Sequence, residues 1–229
     1  MRAWLVQQGF EPGDLRSEKK IDYFMTTPMA RACLKGELNV CKWLYNHGAA
    51  EDISRANNFG ITPMYYACMN GHLSVCEWLY KVGAEEDISR PNIHGCTPMH
   101  WACLNGHLSV CEWLYKMGAT EDITRANING DTPMYWACQN GHLSVCEWLF
   151  KMGATEDISK ANNDGSTPMH VACEKGHLSV CEWLFKVGAT EDISKAANGG
   201  FTPMHFACTK GHLSVCEWLF KMGATEDIS

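Results

Sequence analysis

The chain has 229 residues, 46% of them hydrophobic and 20% charged, with a formal net charge of −7. That length suits one domain or two small ones, the apolar fraction excludes wholesale disorder, and the acidic balance argues against a nucleic-acid binder, whose phosphate contacts need clustered Lys and Arg. No apolar run approaches the ~18 residues of a membrane span, and the apolar core Ala3-Trp4-Leu5-Val6 is too short for the h-region of a signal peptide. The thirteen cysteines are odd in number and fall below the ~8–10% density of a disulfide scaffold. Reduced thiols and a soluble, cytoplasmic protein are therefore expected.

In chain order, Trp4-Leu5 and Gly9 reproduce the spacing of Trp43-Leu44 and Gly48. Residues 1–9 are thus predicted to be the second helix of a truncated unit, and residues 1–21 a capping half-repeat with an irregular connection. Thr-Pro-Met then begins at Thr27, Thr62, Thr97, Thr132, Thr167 and Thr202, each 35 residues after the last. Twelve cysteines follow the same period in two phases, beginning at Cys33 and Cys41. A fixed period of this size means stacked units that bury one another. The units are 22–56, 57–91, 92–126, 127–161, 162–196 and 197–229.

Within a unit, Thr62-Pro63 starts a helix, with a hydroxyl at the N-cap and proline at the first helical position. It runs to about Asn70 and buries Met64, Ala67 and Cys68 on one face. Gly71 ends it. A second helix is predicted from about Leu73 to Val82, apolar over most of its circumference, with only Ser74, Glu77 and Lys81 facing solvent. The polar stretch from Glu85 to Gly95 reads as a turn or hairpin between units. In the last unit the helix Leu213 to Met222 is as apolar as the internal ones, where capping repeats usually have a polar outer face. That predicts a longer array, or a contact through this end.

The motif Gly60-x-Thr62-Pro63-Met64-x-x-Ala67-Cys68-x-x-Gly71-His72-Leu73, followed by Val75-Cys76, Leu79, Gly83-Ala84 and Asp87-Ile88, resembles the ankyrin-repeat family. The resemblance covers residues 22–229 in six copies. Met stands for Leu after proline, Cys for the second Ala and second Val, and Trp for a Leu of the second helix. Two extra residues before Asp-Ile lengthen the family's usual repeat of about 33 residues. The resemblance implies an all-α ankyrin-like solenoid of helix-turn-helix units joined by hairpin loops. It also implies non-catalytic binding of a protein or extended peptide on a concave face built from hairpin tips and first helices.

Comparison of the repeats with one another locates candidate binding residues, because the scaffold positions barely change. At the hairpin tips the varying pairs are Phe59 and Ile61, His94 and Cys96, Asn129 and Asp131, Asp164 and Ser166, with Phe201 in the last. On the first helices they are Tyr65, His100, Tyr135, His170 and His205. One turn later come Met69, Leu104, Gln139 and Glu174. A bulky third set, Arg31, Tyr66, Trp101, Trp136, Val171 and Phe206, could equally be interface anchors or gap fillers between repeats.

Four other patterns point elsewhere. Pairs such as His100/Cys103 and His170/Cys173 invite a metal reading, yet no CxxC or four-ligand spacing occurs, so no metal or other cofactor is expected. Cys96 stands outside both cysteine phases and is the expected reactive thiol. Glu-Asp pairs from Glu51-Asp52 to Glu226-Asp227 read as a solvated charge ladder neutralised by Arg55, Arg90, Arg125, Lys160 and Lys195. The histidines at 72, 107, 142, 177 and 212 read as structural. There is no phosphate-cradling loop and no nucleophile motif, so the chain is not expected to be an enzyme, nor to bind nucleic acid or membrane. The alternative to partner binding is self-association through the last repeat, driven by burial of Trp218, Leu219 and their neighbours.

Overall fold

A computed structural model describes residues 1–21 and 24–224. Asp22 and the pair Glu226-Asp227 lie outside the described residues. The chain divides into two compact units, Met1–Ala102 with Ser109–Ala119, and Cys103–Leu108 with the residues from Thr120 onward. In both, helix pairs follow one another in the repeating order expected of an all-α solenoid.

The N-terminal segment forms a helix over Arg2–Gln7 and buries Leu5 and Phe10. The connection expected to be irregular ends instead in a two-stranded antiparallel ribbon, Lys19–Ile21 against Phe24–Thr26. Arg16 ties this segment to the first repeat through Glu51 at 2.8 Å and Asp52 at 3.3 Å. Paired helices follow at Pro28–Leu34 and Leu38–Leu44, Pro63–Met69 and Leu73–Lys81, Pro98–Leu104 and Leu108–Lys116, Pro133–Gln139 and Leu143–Lys151, Pro168–Lys175 and Leu178–Lys186, and Pro203–Lys210 and Leu213–Lys221.

Each first helix starts where its threonine is held extended and proline presets the first helical φ. The cap takes two forms. Where the third helical residue is Ala or Tyr, the threonine hydroxyl accepts its N–H, as at Tyr65 (3.3 Å) and Tyr135 (3.2 Å). Where that residue is His, its Nδ1 also accepts the threonine N–H, at 3.1 Å for His100 and His170 and 3.3 Å for His205. The second form satisfies one more orphan donor of the helix start.

Met64, Ala67 and Cys68 meet Val75, Cys76 and Leu79 in a core from which water is excluded. The two cysteine phases touch inside a repeat, with Sγ–Sγ distances of 3.6 Å for Cys68–Cys76 and 3.5 Å for Cys138–Cys146 and Cys173–Cys181. None forms a disulfide. Burial, then the neighbouring thiol, pushes Cys68 and Cys138 well above the ordinary thiol range, so they pack as small apolar groups. The second helices are less covered than their composition predicts. Trp78 and Tyr80 stay half-exposed. They join edge-to-face ladders within each unit, Tyr45–Trp78 and Tyr80–Trp113 in one, Phe150–Trp183 and Phe185–Trp218 in the other, all at 5.8–5.9 Å between ring centres.

The stretch between the second helix and the next hairpin, which carries the two extra residues, folds into 3-10 turns such as Glu85–Ile88 and Glu156–Ile158. These turns correct the solvated-ladder expectation. Glu51, Glu86, Glu121, Glu156 and Glu191 are exposed, but Asp52, Asp87, Asp122, Asp157 and Asp192 are buried. Each pairs with the cation three residues on, at 3.4–3.7 Å.

Successive repeats are locked where the helices of a pair meet. Nε2 of His72 bonds the Leu34 carbonyl at 3.1 Å, His177 the Gln139 carbonyl at 3.1 Å and His212 the Glu174 carbonyl at 2.9 Å. The imidazole lies against the glycine that ends the preceding first helix. A Cβ on Gly141 (φ +74°) would fall 2.6 Å from Nδ1 of His177. Gly211 has the same backbone (φ +76°) and nothing within 4 Å of its Cβ position. Gly211→Ala is therefore expected to show only the strain of a left-handed residue, about 1 kcal/mol. Gly141→Ala should add displacement of His177 and destabilise by about 2–4 kcal/mol in urea unfolding. Equal losses in the two variants would contradict this account of the contact.

Candidate binding surface

The hairpin tip is shaped by one asparagine. Oδ1 of Asn57 accepts the N–H groups of Phe59 (2.9 Å) and Ile61 (3.0 Å), while its own N–H donates to the Ile61 carbonyl at 3.0 Å. Asn92, Asn127 and Asn162 repeat this geometry. Asn side chains mimic a backbone turn in this way. Neighbouring tips are joined by backbone bonds, Ile93 N–H to the Phe59 carbonyl at 3.1 Å in one unit, and Asn163 to Asn129 and Asn198 to Asp164 at 2.9 and 3.0 Å in the other. The tips thus form rigid rows.

The two residues of each predicted tip pair part company. Phe59 is half-exposed, and His94, Asn129 and Asp164 are exposed. Ile61, Cys96 and Asp131 are buried, Ser166 is half-buried, and only Phe201 is open. Cys96, expected to be the reactive thiol, is shut in, and its carbonyl accepts the Tyr65 hydroxyl at 3.3 Å. Accessibility passes to Cys208, which is exposed 3.5 Å from the Cys216 sulfur.

The first-helix series requires a larger correction. Tyr65, His100, Tyr135 and His170 are all buried, and only His205 is exposed. A side chain in the first turn of a helix leans back over the segment before it, and here that direction leads to the next hairpin. The Tyr135 hydroxyl donates to Ser166 Oγ at 3.3 Å, and each histidine turns Nδ1 onto its own helix start. Tyr65 and Tyr135 thus bind repeat to repeat and the two histidines cap their own helices, and of the four only Tyr135 keeps a small part of its surface open, at the wall of a cleft. Met69, Leu104, Gln139 and Glu174 are half-exposed. The undecided third set divides: Tyr66 and Val171 are buried, whereas Arg31, Trp101, Trp136 and Phe206 keep part of their surface open. Sequence reasoning overlooked Ile93 and Ile128, exposed at 57% and 60%. Their signal was available, since the same tip position carries Asn58, Asn163 and Asn198 elsewhere.

In the second unit this surface deepens into a cleft of about 290 Å³ lined by Asn129, Asp131, Tyr135, Trp136, Gln139, Asn162, Asn163 and Asp164. Oδ1 of Asp131 accepts from Asn162 Nδ2 at 3.0 Å, and Oδ2 accepts from Trp136 Nε1 and Asn127 Nδ2, each at 3.3 Å. Asn162 Nδ2 also reaches the Tyr135 hydroxyl at 3.3 Å. Burial, reinforced by the charges of Asp131, Glu174 and Asp164 and opposed by the bond to Ser166, pushes Tyr135 up to about 12. The cleft is polar, negative and fixed by its own hydrogen bonds. Among the described residues no group of three or more His, Cys, Asp or Glu could hold a metal ion, and no helix is long and apolar enough to cross a membrane.

Helix pairs capped by Thr-Pro, turned by Gly-His and joined by asparagine-closed tips define a repeat protein whose exposed variation lies on tips and first helices. A sequence model described as Ankyrin repeats (3 copies) matches residues 3–92, 51–126, 82–162 and 154–229. The chain belongs to the ankyrin-repeat family. No curated protein matches it.

Two outcomes follow from the buried and open members of the surface. Burial lowers His170 to about 4, only partly offset by the backbone at Lys195 and Phe201. The folded state therefore binds this proton less well than the unfolded chain, whose histidine titrates near 6.5. Stability from this group is complete above pH 6.5 and falls as pH drops toward 4, by roughly 3 kcal/mol. Asp87, Asp157 and Asp192 are shifted up by burial and act in the opposite sense, but they are common to wild type and variant. His170→Tyr, using the residue of repeats 2 and 4, should lose about 2–3 kcal/mol less than wild type between pH 7 and 4.5 in urea titrations. In native maleimide labelling read by mass spectrometry, Cys208 should react before Cys96, and the reverse order would refute the burial assignment.

Proposed function

We propose that the chain is a non-catalytic, cytoplasmic protein-binding module that engages a protein or extended peptide through its hairpin tips and first helices. The observation that carries this reading is where substitutions fall among near-identical repeats. The second helices of repeats 2 to 6 all read Leu-Ser-Val-Cys-Glu-Trp-Leu, with Asn39 and Lys42 departing in the first, while the open positions of the other face change: Phe59, His94, Asn129 and Asp164 at the tips, and Met69, Leu104, Gln139 and Glu174 on the helices. A rigid row with variable, partly aromatic side chains is what selective recognition requires, and preformed geometry lowers the ordering cost of binding. Of the eighteen residues first singled out, the exposed and half-exposed members carry the proposal.

A second reading, self-association through the last repeat, cannot draw on Leu219, which is already buried, but is favoured by half-exposed Trp218 and by the exposure of Phe201, Leu213 and Phe220 at 53%, 69% and 55%. Sedimentation separates the two, since a mass independent of concentration excludes self-association. For the first reading, a variant with Met69→Ala, His94→Ala, Leu104→Ala and Gln139→Ala should lose a captured partner by roughly tenfold or more. A control with Glu112→Ala, Glu147→Ala and Glu182→Ala on the second helices should stay within about twofold. Loss in the control alone would move the interface to the opposite face.

A further inference from the structure

Among the described residues the buried carboxylates obey one rule with one departure. Asp52, Asp87, Asp122, Asp157 and Asp192 each have an arginine or lysine within 3.4–3.7 Å. Asp131 is 8% exposed, and its three partners are all neutral: two asparagine amides and the Trp136 indole N–H. Among the described residues no cation forms an ion pair with it. Its position carries Ile61, Cys96, Ser166 and Phe201 in other hairpins, so the charge is particular to this one.

A carboxylate already removed from water, and held by neutral donors, offers an incoming cation a strong attraction with little further desolvation of its own. Asp131 lines the cleft, and the exposed Asp164 stands at the neighbouring tip. Trp136 is half-exposed beside them, its ring oriented by the same bond that holds Asp131. An indole face accepts the methylene stem of a lysine or the plane of a guanidinium. Gln139 and Asn129 supply amide groups at the rim. A cleft of about 290 Å³, open to solvent, admits a long side chain and not a folded element.

We propose that this cleft receives the cationic head of an arginine or lysine side chain from the partner polypeptide, with Asp131 and Asp164 as counter-charges and Trp136 as the stacking wall. The inference rests on the protein-binding reading and specifies its partner as a segment bearing a basic anchor residue.

The test is selection of random dodecapeptides displayed on phage against the full chain, followed by calorimetric titration of the strongest synthetic peptide. Enrichment of arginine or lysine is expected, with affinity that falls as salt is raised. Asp131→Ser, which uses the residue of the following hairpin, and Asp164→Asn, at an exposed tip position outside the core, should each weaken binding by roughly tenfold. Glu112→Gln, an exposed acid of a second helix, should leave affinity within about twofold and so excludes general attraction to an acidic protein. Selected peptides without basic residues would overturn this inference while leaving the binding reading intact. Basic peptides whose affinity is unchanged in both Asp131→Ser and Asp164→Asn would also overturn it. Failure to select any peptide would count against both.

Discussion

The contact between a glycine and the histidine of the following repeat organises each unit. First helices of seven or eight residues cannot persist alone in water, because nucleation is unfavourable and short helices gain too few bonds to offset it. Stability must come from the neighbour. Gly36 and Gly141 leave room for the imidazoles of His72 and His177, whose second nitrogens then satisfy carbonyls at the preceding helix end. One contact therefore sets the spacing of the helices, completes a helix terminus and excludes the side chain that would push the repeats apart.

That spacing dictates the rest. With repeats at a fixed separation, the hydroxyl of Tyr65 or Tyr135 reaches the next hairpin, the aspartate of each 3-10 turn is enclosed beside its own cation, and the aromatic ladders close edge-to-face. Hairpin tips then join through backbone N–H groups. The open side chains stand on a surface whose backbone is already hydrogen-bonded, so recognition can vary by substitution without rebuilding the support. Asp131 illustrates the freedom this allows. A charge in a position otherwise held by Ile, Cys, Ser or Phe is accommodated because Trp136, Asn127 and Asn162 arrange their donors around it.

Much of this was legible in the residues. Thr-Pro helix starts, glycine stops, the two cysteine phases and the structural histidines depend on local backbone chemistry repeated every 35 residues, and each stands where its spacing placed it. The candidate surface was less legible. Tyr65, His100, Tyr135 and His170 vary between repeats as binding residues would, yet all four are buried, the tyrosines bonded to the next hairpin and the histidines to their own helix starts. Variation among copies marks tolerance as readily as recognition. The Glu-Asp pairs misled for a related reason: adjacent acids look alike in a sequence, but successive side chains of a 3-10 turn point in different directions.

By itself, the sequence determined the repeat, the helix boundaries, the core composition and the family, because these follow from short-range propensity and from a period that local steric rules enforce. Only the tertiary structure decided which varying residues meet solvent. Exposure is set by what the next repeat lays over a side chain, through contacts made 31 residues away in the bonds of Tyr65 and Tyr135 and 38 away in those of His72 and His177. It is also the tertiary structure that gathers Asp131, Trp136 and Asp164 around one cleft, since they come from two hairpins and a helix that only stacking brings together.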